Sequence, residues 1–244
     1  MKTKKERYLA LIPALNAANT IKQVMLELKA LKIDLDILVI DNNSKDGTLK
    51  VAESTINKYK LNRYRLIRNT RNLGYGGSQK VALFYGIYNN YDKLIIIHAD
   101  NQYPVDYIPS LIKHNAKTKA AMTIGTRLKH KSVKKIMPKW RYIGNYLLSA
   151  MNRWAYNLKL DEFNSEFRIY DLHFMRNVNI DRCGNLSNYS LDSIIEIRAK
   201  GGIINQIVIP CSYPPGAHHP AMWDLAIYAV YNVYRAIKFK LFKN

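Results

Sequence analysis

From Tyr8 to Ile97 the chain repeats one pattern: a short aliphatic run, a polar loop and an amphipathic stretch. The runs are Tyr8 to Ile12, Asp36 to Ile40, Tyr64 to Ile67 and Leu94 to Ile97. After the first, Asn19 or Thr20 is placed to cap a helix with Ile21, Val24, Met25, Leu28 and Leu31 on one face. After the second, the loop Asp41 to Thr48 leads into a helix with Leu49, Ala52 and Ile56 on its apolar side. After the third, a glycine-rich loop from Asn72 to Gly77 precedes a helix from Ser78 to about Asn89. Strands separated by helices pair in parallel through crossovers. The pattern therefore predicts an α/β fold, a Rossmann-like, mostly parallel sheet with helices on both faces.

The fourth run ends abruptly in ligand-capable side chains. His98, Asp100 and Gln102 follow Ile97, and Pro104 stops the strand. Ligands of open α/β sheets collect beyond the carboxyl ends of the strands. A carboxylate there, with oxygen and imidazole neighbours, suits a divalent cation that also grips phosphate. The same residues also read as a polar turn after a core strand. The glycine-rich loop is not a Walker loop, because no Gly-Lys-Ser/Thr follows. Nor is it a dinucleotide fingerprint, because Gln79 takes the third glycine position.

Charge narrows the partners. The 244 residues carry a formal net charge of +20, and no Asp or Glu lies between Asp106 and Asp161. Such a surface attracts phosphorylated substrates, anionic lipid or nucleic acid. Nucleic acid is set aside, because the basic residues sit in no recognised DNA- or RNA-binding motif. The stretch from Lys129 to Arg141 reads as a solvated loop, as a mobile flap over the donor or as a contact to anionic lipid. Cys183 and Cys211 show no metal-ligand spacing, so a reducing compartment is expected.

The two ends need separate readings. Met1 to Leu15 imitates a signal peptide, but Pro13 interrupts its short apolar part, and a first strand fits better. Residues 221–244 form an amphipathic helix, aromatic and then basic, that suits a membrane interface; a terminal helix packed on the core is the competing reading. The adjacent His218 and His219 point apart and are not read as metal ligands.

Taken together, the loops resemble glycosyltransferase family 2, and within it the dolichyl-phosphate mannosyltransferase branch. The motifs are Ile12 to Asn16, Val39 to Thr48, Asn72 to Gly76, His98 to Gln102, Gly125 to Arg127, Met137 to Arg141, Asp161 to Arg168, Leu191-Asp192 with Glu196, and Val208 to Pro210. The resemblance implies a GT-A fold over residues 1–220 and an inverting transfer from a UDP- or GDP-linked sugar, with Mg²⁺ or Mn²⁺ as cofactor. It implies a polyprenyl phosphate or a glycan as acceptor, and a place on the cytoplasmic face of a membrane. Donor contacts are expected at Pro13, Asn16, Asp41, Asn42, Gly74 and Ala99, with Asp41 on the base. Metal ligands are expected at His98, Asp100 and Gln102, with Asp100 as the carboxylate among them. Arg127 and Arg141 are expected near the transferred phosphate or the acceptor. Asp192, with Glu166 behind it, is expected to act as base if the acceptor is a hydroxyl, and the N-cap of a helix over Ser193 to Ala199 is the competing role of Asp192.

The chain departs from the family pattern at several positions. His98 stands where the first aspartate of Asp-x-Asp is usual, Asn42 replaces the second aspartate of an Asp-Asp pair, and Glu166 replaces the glycine of Ser-Gly-Phe-Arg. Leu15 and Ala17 replace a Tyr and a Glu of the first loop. These changes keep open the alternative of a catalytically silent relative that binds nucleotide-sugar or membrane.

Overall fold

The computed structural model describes residues 5–210, 212 and 222–242. The strands are β1 (Tyr8–Ala14), β2 (Leu35–Asp41), β3 (Tyr64–Arg68), β4 (Lys93–Ile96), β5 (Met122–Thr126), β6 (Arg168–Asp171) and β7 (Ile204–Val208). The helices are α1 (Ile21–Ala30), α2 (Thr48–Lys58), α3 (Gly74–Tyr88), α4 (Ile108–Thr118), α5 (Val133–Ile136), α6 (Lys139–Tyr156), α7 (Leu172–Met175), α8 (Tyr189–Ala199) and α9 (Met222–Phe242). Cys211, His218 and His219 lie outside the described residues.

One sheet runs in the order β3-β2-β1-β4-β6-β5-β7. Pairs among β3, β2, β1 and β4 are parallel, as is β5 with β7, whereas β6 runs antiparallel to both its neighbours. The parallel part follows from the alternation of runs and helices. The antiparallel β6 does not, since a four-residue strand is too short to carry a periodic signal. An ion pair supports its register: Lys93 lies opposite Asp171, and their side chains meet at 2.7 Å.

Period-2 alternation along β1, β2 and β4 feeds two cores. Leu9, Leu11, Leu38, Ile40, Leu94 and Ile96 face a layer containing Leu83, Leu191 and Ala236. Ala10, Ile12, Ile37, Val39, Ile95 and Ile97 face the layer of α1, α2 and α4, including Met25, Ala52 and Leu111. Pro13 is tolerated inside β1 because its position points toward β4, which has already ended opposite Leu11.

Three local expectations are corrected. Thr20 takes the N-cap position of α1 but makes no side-chain cap. The third helix begins at Gly74, a turn earlier than Ser78, because its glycines let that turn press against the segment before α8. A Cβ on Gly76 would stand 2.5 Å from the Tyr189 Cβ. Asp192 does not cap a helix: α8 starts at Tyr189, which puts Asp192 within its first turn.

The stretch after β5 is neither bare loop nor free flap. Leu128, Val133 and Met137 bury themselves in a small apolar cluster against Tyr142. α9 packs on α6: Asn152 donates to Asn232 at 2.9 Å, and Tyr156 meets Phe239 edge-to-face.

Candidate active site

β1 is flanked by β2 and β4, so the chain reverses direction across the sheet at the β1/β4 crevice. Open sheets bind ligands at such a switch point, beyond the strand ends. The loops after β1, β2 and β4 meet there.

The first two loops are zipped together. The Asn16 N–H donates to Ser44 Oγ (3.0 Å) and the Lys45 N–H to Asn16 Oδ1 (3.0 Å), while the Ala17 N–H donates to Thr48 Oγ1 (2.8 Å). Asn16 holds a positive φ of 51°, which asparagine tolerates. Asp46 accepts from the Ala18 N–H, the Thr48 N–H and the Thr48 hydroxyl. Burial pushes the Asp46 carboxyl up, but these bonds outweigh it and hold it below the ordinary range.

Asp41, at the end of β2, is 1% exposed. Its Oδ1 accepts a 3.3 Å bond from the Ser44 N–H, and Arg68 Nε lies 3.5 Å from Oδ2. Among the described residues, Oδ2 has no hydrogen-bond partner. A buried carboxylate oxygen left in this state is suited to accept from a ligand N–H.

Asn42 organises the loop before α3. Its amide donates to Asn72 Oδ1 (2.8 Å) and the Gly74 carbonyl (3.3 Å), while its Oδ1 accepts from Asn69 and the Leu73 N–H, both at 2.9 Å. An aspartate here would turn two acceptors against each other, which gives the departure from Asp-Asp a physical reason. Gly74 has φ +76°, and a Cβ on it would stand 2.3 Å from the Asn185 carbonyl oxygen.

At the end of β4, Ala99 is buried, while His98 and Asp100 are half-buried. Gln102 donates to Asp100 through its backbone N–H (3.2 Å) and its side-chain Nε2 (2.9 Å). Those bonds orient the carboxylate. Among the described residues no three His, Cys, Asp or Glu side chains gather into a cation cage. One carboxylate with an amide and an imidazole nearby nevertheless fits a cation that takes its remaining oxygens from substrate phosphates, the usual habit of Mg²⁺.

The sequence reading missed the layer beneath this loop. Tyr75 donates its hydroxyl proton to Glu166 Oε2 (2.8 Å) and lies 3.0 Å from His98 Nε2. Tyr103 meets the His98 ring edge-on and stacks on Phe167, and its hydroxyl accepts from the Glu166 N–H. Burial pushes the Glu166 carboxyl up, and the Arg168 guanidinium beside it is the strongest opposing influence. Arg168 is fully buried and donates to the carbonyls of Phe163, Ser165 and Ser190 and to Ser193 Oγ. Tyr75 was legible only as part of a glycine-rich loop, and nothing in sequence spacing links it to Glu166.

The remaining expected residues are held in different ways. Arg127 is buried against fully buried Glu162, which receives its Nε, Nη2 and backbone N–H, and its guanidinium lies 5.5 Å from the Tyr103 ring centre. Arg141 is half-buried in the first turn of α6. Asp192 is buried; it accepts from the Tyr231 hydroxyl (2.6 Å) and the Gly184 N–H (3.0 Å), with Arg235 Nε at 3.4 Å. Both Tyr231 and Arg235 come from α9.

Residues 10–180 match the family model for glycosyl transferase family 2. The chain belongs to that family. Among its relatives is an uncharacterized protein of Methanocaldococcus jannaschii, 29% identical over 214 residues, covering 84% of this chain and 88% of the other. Another is an undecaprenyl-phosphate mannosyltransferase of Micrococcus luteus, 24% identical over 175 residues, 72% of this chain and 70% of that one. The GT-A fold is shared with glucosyl-3-phosphoglycerate synthase of Mycobacterium tuberculosis, solved with Mn²⁺, UDP and phosphoglyceric acid. That structure superposes with a TM-score of 0.69 at 14% identity, covering 95% of this chain and 78% of that one. As a family 2 glycosyltransferase, this chain presents its candidate site at the β1/β4 crevice, a switch point of the sheet.

Proposed function

We propose that this family 2 glycosyltransferase moves a sugar from a UDP- or GDP-linked donor to a polyprenyl phosphate at the cytoplasmic face of a membrane. Asp41 Oδ2 accepts from the base, and Pro13, Asn16, Asn42, Gly74 and Ala99 shape the nucleotide cleft around it. Asp100 and Gln102, with His98, would hold Mg²⁺ or Mn²⁺. The chemistry such an ion supplies when bound is Lewis-acid neutralisation of the leaving diphosphate. Arg141 orients phosphate oxygens, whereas Arg127, committed to Glu162, braces the strand end from which it projects. An acceptor phosphate oxygen attacks the anomeric carbon from the face opposite the nucleoside diphosphate, which departs with the bonding electron pair and inverts the centre.

The observation that carries the choice of acceptor is the state of Asp192. A hydroxyl acceptor needs a free carboxylate base. Asp192 is already engaged by Tyr231, Gly184 and Arg235. A phosphate acceptor is ionised and needs no base. With radiolabelled donor and polyprenyl phosphate, Asp192→Asn is expected to keep at least about a tenth of wild-type transfer into organic-extractable lipid. Arg141→Ala is expected to lose about two orders of magnitude, a few kcal/mol of charge-assisted contact. A loss confined to Asp192→Asn would overturn the lipid-phosphate assignment.

Membrane contact is supported by two apolar stripes that the core leaves uncovered. α9 exposes Trp223, Ile227, Val230, Tyr234, Ile237 and Leu241, with Trp223 at 80% and Val230 at 70%. α6, packed beside it, exposes Trp140, Ile143, Leu147 and Trp154. Lysines flank the pair, and Lys240 lies over the Trp154 ring. Aromatic and aliphatic side chains bordered by lysine fit an anionic lipid interface. No helix among the described residues is long and apolar enough to cross a membrane. Because α9 also covers Asp192 and Tyr156, deleting it would unseat the core. The cleaner variant is Trp223→Ser with Ile227→Ser and Val230→Ser. Its binding to anionic vesicles should fall at least about tenfold, equal to about 1.4 kcal/mol, and what remains should be removed by salt. Unchanged co-sedimentation in high salt would rule this surface out.

A further inference from the structure

Two departures from the family pattern, His98 and Glu166, lie far apart in sequence, yet both touch the hydroxyl of Tyr75. That hydroxyl has one proton to give. Glu166 Oε2 takes it at 2.8 Å, and the same oxygen lies 3.6 Å from Arg168 Nε. The Arg168 Nε–H is itself given to the Ser165 carbonyl at 2.7 Å, so the hydrogen bond to Oε2 comes from the Tyr75 hydroxyl. The Tyr75 oxygen therefore receives its second hydrogen bond from His98 Nε2–H at 3.0 Å. In a neutral imidazole that assignment leaves the lone pair on Nδ1. Ring packing restricts the imidazole further: its centroid is 5.1 Å from the Tyr75 ring and 5.2 Å from the Tyr103 ring, edge-on to the latter.

We propose that Tyr75 and Glu166 are positioning residues that hold His98 in its Nε2-protonated tautomer. In the same arrangement, Glu166 sets a carboxyl group beneath the loop, one hydroxyl away from the position where an aspartate at 98 would stand. The two departures are then one change. With an aspartate at position 98 and Glu166 kept, two carboxylates would compete for one hydroxyl proton, and one would stay buried without a donor. With His98, the ring supplies the missing hydrogen. A carboxylate that orients a metal-site histidine through a bridging group is an outer-shell device, and removing such a partner typically costs 10–100-fold in metal affinity. This inference rests on the metal site proposed above, but the tautomer stands independently of it.

The first measurement is the pair of ¹⁵N shifts of the His98 ring in metal-free protein, assigned by comparison with His98→Gln. Wild type should show one tautomer, protonated at Nε2, and Tyr75→Phe should show a mixture. A wild-type ring protonated only at Nδ1, or a Tyr75→Phe ring unchanged from wild type, would overturn the relay. The second measurement is calorimetric affinity for Mn²⁺ with UDP. His98→Asp should lose about tenfold or more, and adding Glu166→Gln should recover most of it, since the amide can donate to the Tyr75 oxygen while the introduced aspartate accepts its proton. Strictly additive losses in the double variant would also overturn the proposal. Asp100→Ala serves as the control that separates the two readings. If it leaves Mn²⁺–UDP affinity intact while Tyr75→Phe still mixes the tautomers, the metal site fails and the relay stands.

Discussion

Asp100→Ala is expected to lower the affinity for Mn²⁺ with UDP or GDP by at least about 100-fold, roughly 2.7 kcal/mol. Asp100 is the one carboxylate among the three proposed ligands, and hard cations depend on carboxylate oxygen. The fold should survive the change. Asp100 is half-buried at the tip of a turn and accepts from the backbone and side-chain N–H groups of Gln102. Isothermal titration with and without Mn²⁺, together with a melting curve, tests both halves. Unchanged metal-dependent affinity would falsify the assignment of the site.

The second large effect is expected on stability. Glu162→Ala removes the carboxylate that receives Arg127 through Nε, Nη2 and the backbone N–H, while the guanidinium stays buried. Breaking a buried pair from one side costs about 3–5 kcal/mol. For a chain of this size that is a fall in melting temperature of about 10 °C. Replacing both partners by methionine should recover part of the loss, because no charge is then stranded, but the Arg127 N–H still lacks its acceptor. Calorimetric melts of the three proteins check this. A Glu162→Ala melt within about 2 °C of wild type would show that water reaches the guanidinium.

These expectations draw on different levels of legibility. Asp100 could be singled out by reading alone, because a buried aliphatic run that turns polar within one residue marks a strand end in an α/β sheet. Glu162 could not. It stands among the residues of a quoted motif, but its partner is 35 positions away, and only the sheet brings them together. Arg127 changes meaning for the same reason: in sequence it is a cation near a strand end, in the fold it is neutralised by a carboxylate. Asn42 reads as a lost aspartate until its four hydrogen bonds show an amide at work.

α9 illustrates why one composition allows two readings. Its composition supported either core packing or a lipid interface. In the fold its Tyr231, Asn232, Arg235 and Ala236 face the domain, while Trp223, Ile227 and Val230 remain exposed. A helix with apolar residues on both sides cannot be divided into inner and outer faces without knowing what it packs against.

The sequence by itself determined the order of strands and helices as far as β4, the alternation that feeds two cores, the strand-end position of the candidate site and the family to which the loops belong. These are local properties, carried by period and by the residues at strand ends. Only the tertiary structure decided that β6 enters the sheet antiparallel, that the third helix starts on its glycines, that Asp192 is occupied, and that His98 and Glu166 share one hydroxyl. Each of these depends on which distant groups meet in a buried space. There a proton or a charge must find a partner, and the identity of that partner is written in no single stretch of chain.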